Sequence, residues 1–331
     1  MSGLTAVRPK FCLRIGAQVM AWGESTRTWR GRGRYRCAVS PTPPGSVKLS
    51  PIEPNLSNPT LLEERLRSLA GPNPRIRFAG HTLLQDMPRL ITLLLPDLAV
   101  RTIVMSLDEL PPRPDEQEAL IRWRLGQDQR VSVAGSKLFW QVFPSLSSEN
   151  RGYGLFVVAV MDNVLTQYER LCESAGLLPQ RVGVTSLYLF NLWMHAVGGE
   201  GRLPRGLASF ALSDGGLSCA ILHDGRPVFA RTKLLAMEGA GDKPMAVDMR
   251  ERIVRECAVS LVACREHHPH VQVRHAVFMT EEDIPGLDEA LGNELGIAVS
   301  RLEWDHLASL GWSHQGGSLS AAALPAVAGL V

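Results

Sequence analysis

Two glycine turns are the residues of this chain best suited to hold an anion. Leu13-Arg14-Ile15-Gly16 and Leu212-Ser213-Asp214-Gly215-Gly216 each close an apolar run and lead into another, and backbone amides in such turns can cradle a phosphate. The same glycines equally serve hairpin turns that need permissive backbone angles, so the turns alone leave both readings open. Metal chemistry is poorly signed. Cys264-Arg-Glu-His267-His268-Pro-His270 offers a thiolate and imidazoles to zinc, but it falls where a long helix is predicted to end, a place that favours protonated histidine through the helix dipole. Glu281-Glu282-Asp283 opens a predicted helix and reads as acidic dressing of its first turn rather than as a magnesium site. The chain has no G-x-x-x-x-G-K-[ST] loop, no H-E-x-x-H, no G-x-S-x-G and no G-x-G-x-x-G between strand and helix, so the common catalytic mechanisms are unsigned.

Strands must position those turns. Residues 11–22 alternate apolar and polar positions around Gly16 and lead through Arg30-Gly-Arg-Gly-Arg-Tyr-Arg36 to a second alternating stretch, which predicts two strands joined at a turn. After a proline-rich connection over 41–54, Asn58 is placed to cap a helix with Pro59 first, Leu62, Leu66 and Leu69 as its stripe, and Gly71 at its end. Strands over 90–95 and 99–107, a helix over 114–125, a strand over 154–161 and a helix over 162–175 predict a small α+β unit between about 90 and 180. From 207 the pattern restarts with strands over 207–212 and 217–223, a tight turn at Asp224-Gly225 and a strand over 226–231. A helix over 247–266, a strand over 273–279, a helix over 284–295 and a strand over 297–302 complete it. The halves share a plan, hairpin first and crossovers after, without a close sequence repeat.

Composition sets the class. The 331 residues carry 35 Lys+Arg against 33 Asp+Glu and are 45% hydrophobic, which predicts an ordered globular chain with room for two domains and excludes a whole-chain basic nucleic-acid binder. The charge is uneven: residues 1–48 hold nine basic side chains and one acid, Glu24, so an electrostatic partner is expected at the N-terminal end. The longest apolar run, 155–161, is far short of the ~20 residues of a membrane helix, and the start lacks the apolar block of a signal peptide, so the chain reads as cytoplasmic. Cys257 and Cys264 fall on one predicted helical face with Ile253 and Leu261 and read as buried thiols in a reducing compartment.

Ordered segments across nearly the whole chain carry a resemblance. They are Thr92-Leu-Leu-Leu-Pro-Asp97 with Val100-Arg101, Leu110-Pro111 with Asp115-Glu-Gln-Glu-Ala-Leu-Ile-Arg-Trp123, and Val157-Val-Ala-Val160 leading to Tyr168 and Ala175-Gly-Leu177-Leu-Pro179. Asp224-Gly225-Arg-Pro-Val-Phe-Ala-Arg231, Arg255-Glu256 with Ser260-Leu261, and Ile284-Pro-Gly-Leu287 with Leu295-Gly296 follow. In this order and spacing the sequence resembles the PilM family of type IV pilus assembly proteins, in the actin-like ATPase superfamily with FtsA, and more distantly the cytoplasmic part of GspL. The resemblance implies an α/β, bilobed actin-like ATPase fold with an inserted α+β subdomain in the first lobe. It places the first lobe at 1–90 with a closing segment 305–331, the insertion at 91–180 and the second lobe at 181–304. It further implies a cytoplasmic scaffold peripheral to the inner membrane. Such a scaffold holds the N-terminal cytoplasmic tail of a PilN-like protein, in a groove between the first sheet and the insertion, and couples it to a pilus motor ATPase. An active ATPase or small-molecule kinase of the superfamily, or a GspL-type platform, are the alternatives.

Departures from the family pattern bear on chemistry. The family carries an Asp two residues before the glycine of its first phosphate turn, where this chain has Arg14, and a charge reversal there is at odds with metal-dependent phosphoryl transfer. In the second turn the corresponding Asp aligns with Ser213, with Asp214 one residue away, and the adenosine-binding Gly-Gly is replaced by Thr280-Glu281. Gly16, Gly215, Gly216 and Glu256 remain as family-type cleft residues. The expectation is a vestigial nucleotide cleft, with no catalytic residue, no metal and ATP and magnesium disfavoured. Arg14 admits one competing reading, a cation that attracts phosphates without catalysis. The resemblance also places Arg30, Arg32 and Arg34 on the first hairpin of lobe one, exposed to anionic lipid or an acidic partner.

Overall fold

In the computed structural model, which describes residues 8–27, 33–72, 75–78, 81–127, 133–144, 152–197, 204–235, 245–282, 284–317 and 319–331, the alternating opening folds as an antiparallel meander. β1 (Phe11–Ile15), β2 (Val19–Arg27) and β3 (Gly33–Pro41) pair in sequence order, with Gly16 at the first turn. α1 (Pro59–Ala70) buries Leu62 and Leu66. The predicted Asn58 cap is corrected: its side chain makes no capping bond, because its backbone (φ −128, ψ 74) departs from the extended geometry of a capping residue. A hairpin of β4 (Arg75–Phe78) and β5 (His81–Asp86) precedes β6 (Arg89–Leu95), which runs parallel to β1.

The chain then leaves this sheet. β7 (Arg101–Leu107), β8 (Ser136–Pro144) and β9 (Tyr153–Met161) form a separate sheet in the order β7-β9-β8, and α2 (Pro114–Gln127) covers one face with Ile121 and Leu125. α3 (Asp162–Ser174) brings the chain back to β10 (Leu177–Val184), parallel to β6. The insertion is therefore narrower than the predicted 91–180. β6 is buried on both faces as a central strand of the first sheet, and α3 and β10 form its parallel crossover, so only the segment between β6 and α3 departs.

α4 (Thr185–Val197) leads to the second lobe, where β11 (Gly206–Ser213), β12 (Gly216–His223) and β13 (Arg226–Leu234) repeat the meander. Asp214-Gly215 and Asp224-Gly225 form its two turns with φ of 51°, 72°, 48° and 76°, the left-handed pair of a primed turn that follows the twist of the strands. α5 (Met245–His267), β14 (His275–Thr280), α6 (Leu287–Leu295) and β15 (Ala298–Arg301) add two parallel strands. α7 (Asp305–Ser309), β16 (Ser313–Gly317) on the outer edge of β3, and α8 (Leu324–Ala328) return to the first lobe.

Read along each sheet, β3-β2-β1-β6-β10 and β13-β12-β11-β14-β15 are one plan used twice, and the inserted sheet occupies the link that in the second lobe is a short turn before α6. Each lobe has its own core. A third apolar cluster joins them: Cys12 and Leu94 of the first sheet, and Leu207, Val277 and Met279 of the second, pack with Leu189, Leu192 and Trp193 of α4 and Leu324 and Val327 of the C-terminal segment. Burying a side chain of this size contributes about 1.5–3 kcal/mol, so this layer fixes the lobes to one another beneath the cleft.

Candidate functional site

The two glycine turns meet. β1 delivers Arg14 and Gly16 from the first lobe, β11 delivers Ser213 and Asp214 from the second, and β14, parallel to β11, ends beside them in Thr280 and Glu281. Arg14 is wholly buried. Its Nη2 donates to Ser213 Oγ and to Asp214 Oδ2 at 2.6 Å each, and stands 2.9 Å from Glu281 Oε2. Ser213 Oγ donates onward to Glu281 Oε1 at 3.0 Å, and the other Asp214 oxygen accepts the amide of Ala17 at 2.7 Å. Thr280 stays local, exchanging bonds with the backbone of Glu282. Gly215 supplies the left-handed turn, and a Cβ on Gly216 would stand 2.8 Å from the Leu98 side chain.

One arginine cannot neutralise two buried carboxylates at once. Burial, the main cause, and the charge of Asp214 outweigh the attraction of Arg14 and push Glu281 up to about 8, so near neutral pH the working ion pair is Arg14 with Asp214. Asp97 is a further buried acid that the sequence analysis did not single out. It leaves β6 in a single 3-10 turn (Asp97–Ala99), accepts Ser186 N at 3.1 Å and Ser186 Oγ, and lies close enough to Ser218 of β12 to bond it. Burial raises its pKa, against those bonds and the charge of Arg14. Only the Thr92–Asp97 run marked it in the sequence.

Several expectations change at this site. The residues do not fit a metal-bound polyphosphate. The Ala17 amide that would face a phosphate is taken by Asp214, the cation is already paired, and a Cβ added to Gly16 would lie 2.5 Å from Asp214 Oδ1 and 2.7 Å from Arg14 Nη1. The Nη2 of Arg14, read from the sequence as a cation that could attract phosphates, is paired with Asp214 and Glu281. Glu281 is not helix dressing: α6 starts at Leu287 after Gly286 (φ 71°), and Asp288 and Glu289 dress its first turn. Asp283 lies outside the described residues. Glu256 does not join the cluster, because its carboxylate pairs with Lys233 and lies 3.6 Å from Arg231 on β13. Among the described residues no group of three or more His, Cys, Asp or Glu side chains could hold a metal ion. His267 bonds the Ala263 carbonyl at 2.9 Å, and His268 and His270 meet ring to edge.

The other predicted surfaces are less complete. Arg30 and Arg32 lie outside the described residues, whereas Arg34 is exposed on β3. The seam between the insertion and the lobes contains a pocket of about 20 Å³ lined by Thr102, Phe156, Leu187, Phe190 and Ala230, too small for a peptide. Beyond it, Phe139 is 56% exposed on β8, an edge strand. Its cross-strand neighbour Val158 packs on the first lobe, so Phe139 shares the face of the sheet turned that way. The first sheet ends at β10, another edge, where Leu178 and Val182 are exposed. No helix among the described residues is long and apolar enough to cross a membrane.

No protein-family model and no curated protein sequence matches the chain. A chain of a solved PilM-PilN type IV pilus biogenesis complex does match by structure, with 16% identity, a TM-score of 0.71 and 98% of this chain covering 99% of that one. The chain has the two-lobed actin-like fold. That fold accounts for the duplicated sheets and places the polar cluster in the cleft between the lobes. The cytoplasmic domain of EpsL, an inner-membrane component of the type II secretion system of Vibrio cholerae, is more distant at 12% identity, with 97% and 94% coverage and a TM-score of 0.47. A Bacteroides thetaiotaomicron protein with an actin-like ATPase fold stands at 9% identity, with 94% and 98% coverage and a TM-score of 0.47.

Proposed function

We propose that this chain is a scaffold of a type IV pilus or related secretion machine, holding the N-terminal cytoplasmic tail of a PilN-like inner-membrane protein and working without ATP hydrolysis. The observation that carries the reading is the end-to-end structural match to a chain of a PilM-PilN complex. The cluster around Arg14 supports the non-catalytic half, since a cation stands where the family pattern has a magnesium-ordering carboxylate. The binding half draws on the edge strands β8 and β10, which offer the exposed Phe139, Leu178 and Val182 to an extended tail. On this reading the protein sits at the cytoplasmic face of the inner membrane, within reach of a motor ATPase. The basic hairpin holding Arg34 then faces anionic lipid or an acidic partner.

Titration calorimetry of the full chain with N-terminal tail peptides of inner-membrane pilus proteins tests the reading. The expected result is one-to-one binding without nucleotide; no binding to any such tail, or binding only with Mg-ATP, contradicts it.

A further inference from the structure

The geometry points to Arg14 as an interlobe clamp: we infer that its guanidinium, fixed to the first lobe, holds the second lobe closed through Ser213, Asp214 and Glu281, so that closure requires no nucleotide. The inference concerns the cleft alone and does not depend on the partner proposed above. Three observations carry it. Every acceptor that Nη2 reaches belongs to the second lobe, at 2.6 to 2.9 Å. Asp214 crosses the cleft twice, with Oδ2 on the Arg14 side chain and Oδ1 on the Ala17 amide, so one carboxylate ties both the side chain and the backbone of the opposite turn. Arg14 is fully buried and Asp214 2% exposed, so this tie lies in a medium where water neither competes nor screens. Charge-assisted bonds of this geometry are the stronger class of hydrogen bond.

The tie also reaches the inserted sheet. Gly216, at the far side of the Asp214 turn, is packed by Leu98 in the 3-10 turn from which the insertion departs, and Asp97 beside it is bonded to Ser186 at the start of α4. A shift of the second-lobe turn must therefore move or unpack the root of the insertion. A polyphosphate entering the cleft would meet Asp214, Glu281 and Asp97, and to gain Arg14 it would have to strip that cation from Asp214 and leave a buried carboxylate unpaired.

Spin labels on Glu64→Cys in α1 and Glu294→Cys in α6, both exposed positions against a background of buried native thiols, report the distance between lobes. The expected result for the otherwise unchanged chain is a single narrow distance distribution that millimolar Mg-ATP does not move. Arg14→Ser should broaden and lengthen that distribution and lower Tm by roughly 5–10 °C. Should that variant fail to fold, Asp214→Asn keeps the shape and the Ala17 bond while discharging the pair, and it should broaden the distribution as well. A distribution that shortens with Mg-ATP in the unchanged chain, or a folded Arg14→Ser or Asp214→Asn protein whose distances equal the parent's, overturns the inference.

Discussion

Arg14 and Phe139 each sit on the side of the protein surface that their residue type usually avoids: the arginine is wholly buried and the phenylalanine is 56% exposed. In the cleft, polar groups of the two lobes bond one another around the Arg14 guanidinium. On the inserted sheet an aromatic ring stands on an edge strand, and the edge of the first sheet carries Leu178 and Val182 in the same way. The cleft side chains hold the two lobes to one another, while the exposed apolar side chains stand on edge strands outside it. A single exposed ring is ordinary on protein surfaces. Its place on an edge strand of the inserted sheet is what separates this region from the cleft.

Substitutions can break that contrast. The largest effect is expected at the cleft: Arg14→Ala leaves the buried Asp214 carboxylate uncompensated and should cost about 3–5 kcal/mol in a urea melt, whereas Phe139→Ala should stay within about 0.5 kcal/mol. Equal losses from the two would erase the distinction. Next comes pH. Because Glu281 holds its proton up to about 8 when folded, against an ordinary value of 4.5, its contribution is complete below that ordinary value and drains away as pH rises toward and through 8. Thermal melts across this window should show the decline, and Glu281→Gln should flatten it; an unchanged slope in that variant would assign the dependence to other groups. At the insertion, Phe139→Ser should weaken tail binding by at least tenfold, about 1.4 kcal/mol, with Tm unaltered, as read by calorimetry. The smallest effect belongs to the basic hairpin: Arg34→Ser should lower binding to anionic vesicles by less than tenfold, and the difference should vanish as salt is raised.

Local signals made the second lobe easy to read. Asp214-Gly215 and Asp224-Gly225 announce their turns, and the alternation around Gly16 announces the first. The insertion's limits were not visible, because β6 and β10 join a sheet across a long crossover and β10 carries Pro179 and Gly183, which weaken any strand signal. α4 escaped for a different reason: packed between the lobes, it is apolar around most of its circumference and so lacks the one-sided stripe of a surface helix. The cleft residues were legible as two turns and a strand end, yet their partners were not. Arg14 and Glu281 lie at opposite ends of the chain, and an acidic residue ahead of a helix looks like dressing until the fold carries it to a buried cation. Glu256 shows the converse, a residue of the right type whose neighbours Lys233 and Arg231 draw it elsewhere.

Calorimetric titration of the intact chain with Mg-ATP tests the central claim most directly. A cleft filled by its own side chains predicts no saturable heat at micromolar nucleotide. A one-site isotherm with a micromolar Kd would contradict it.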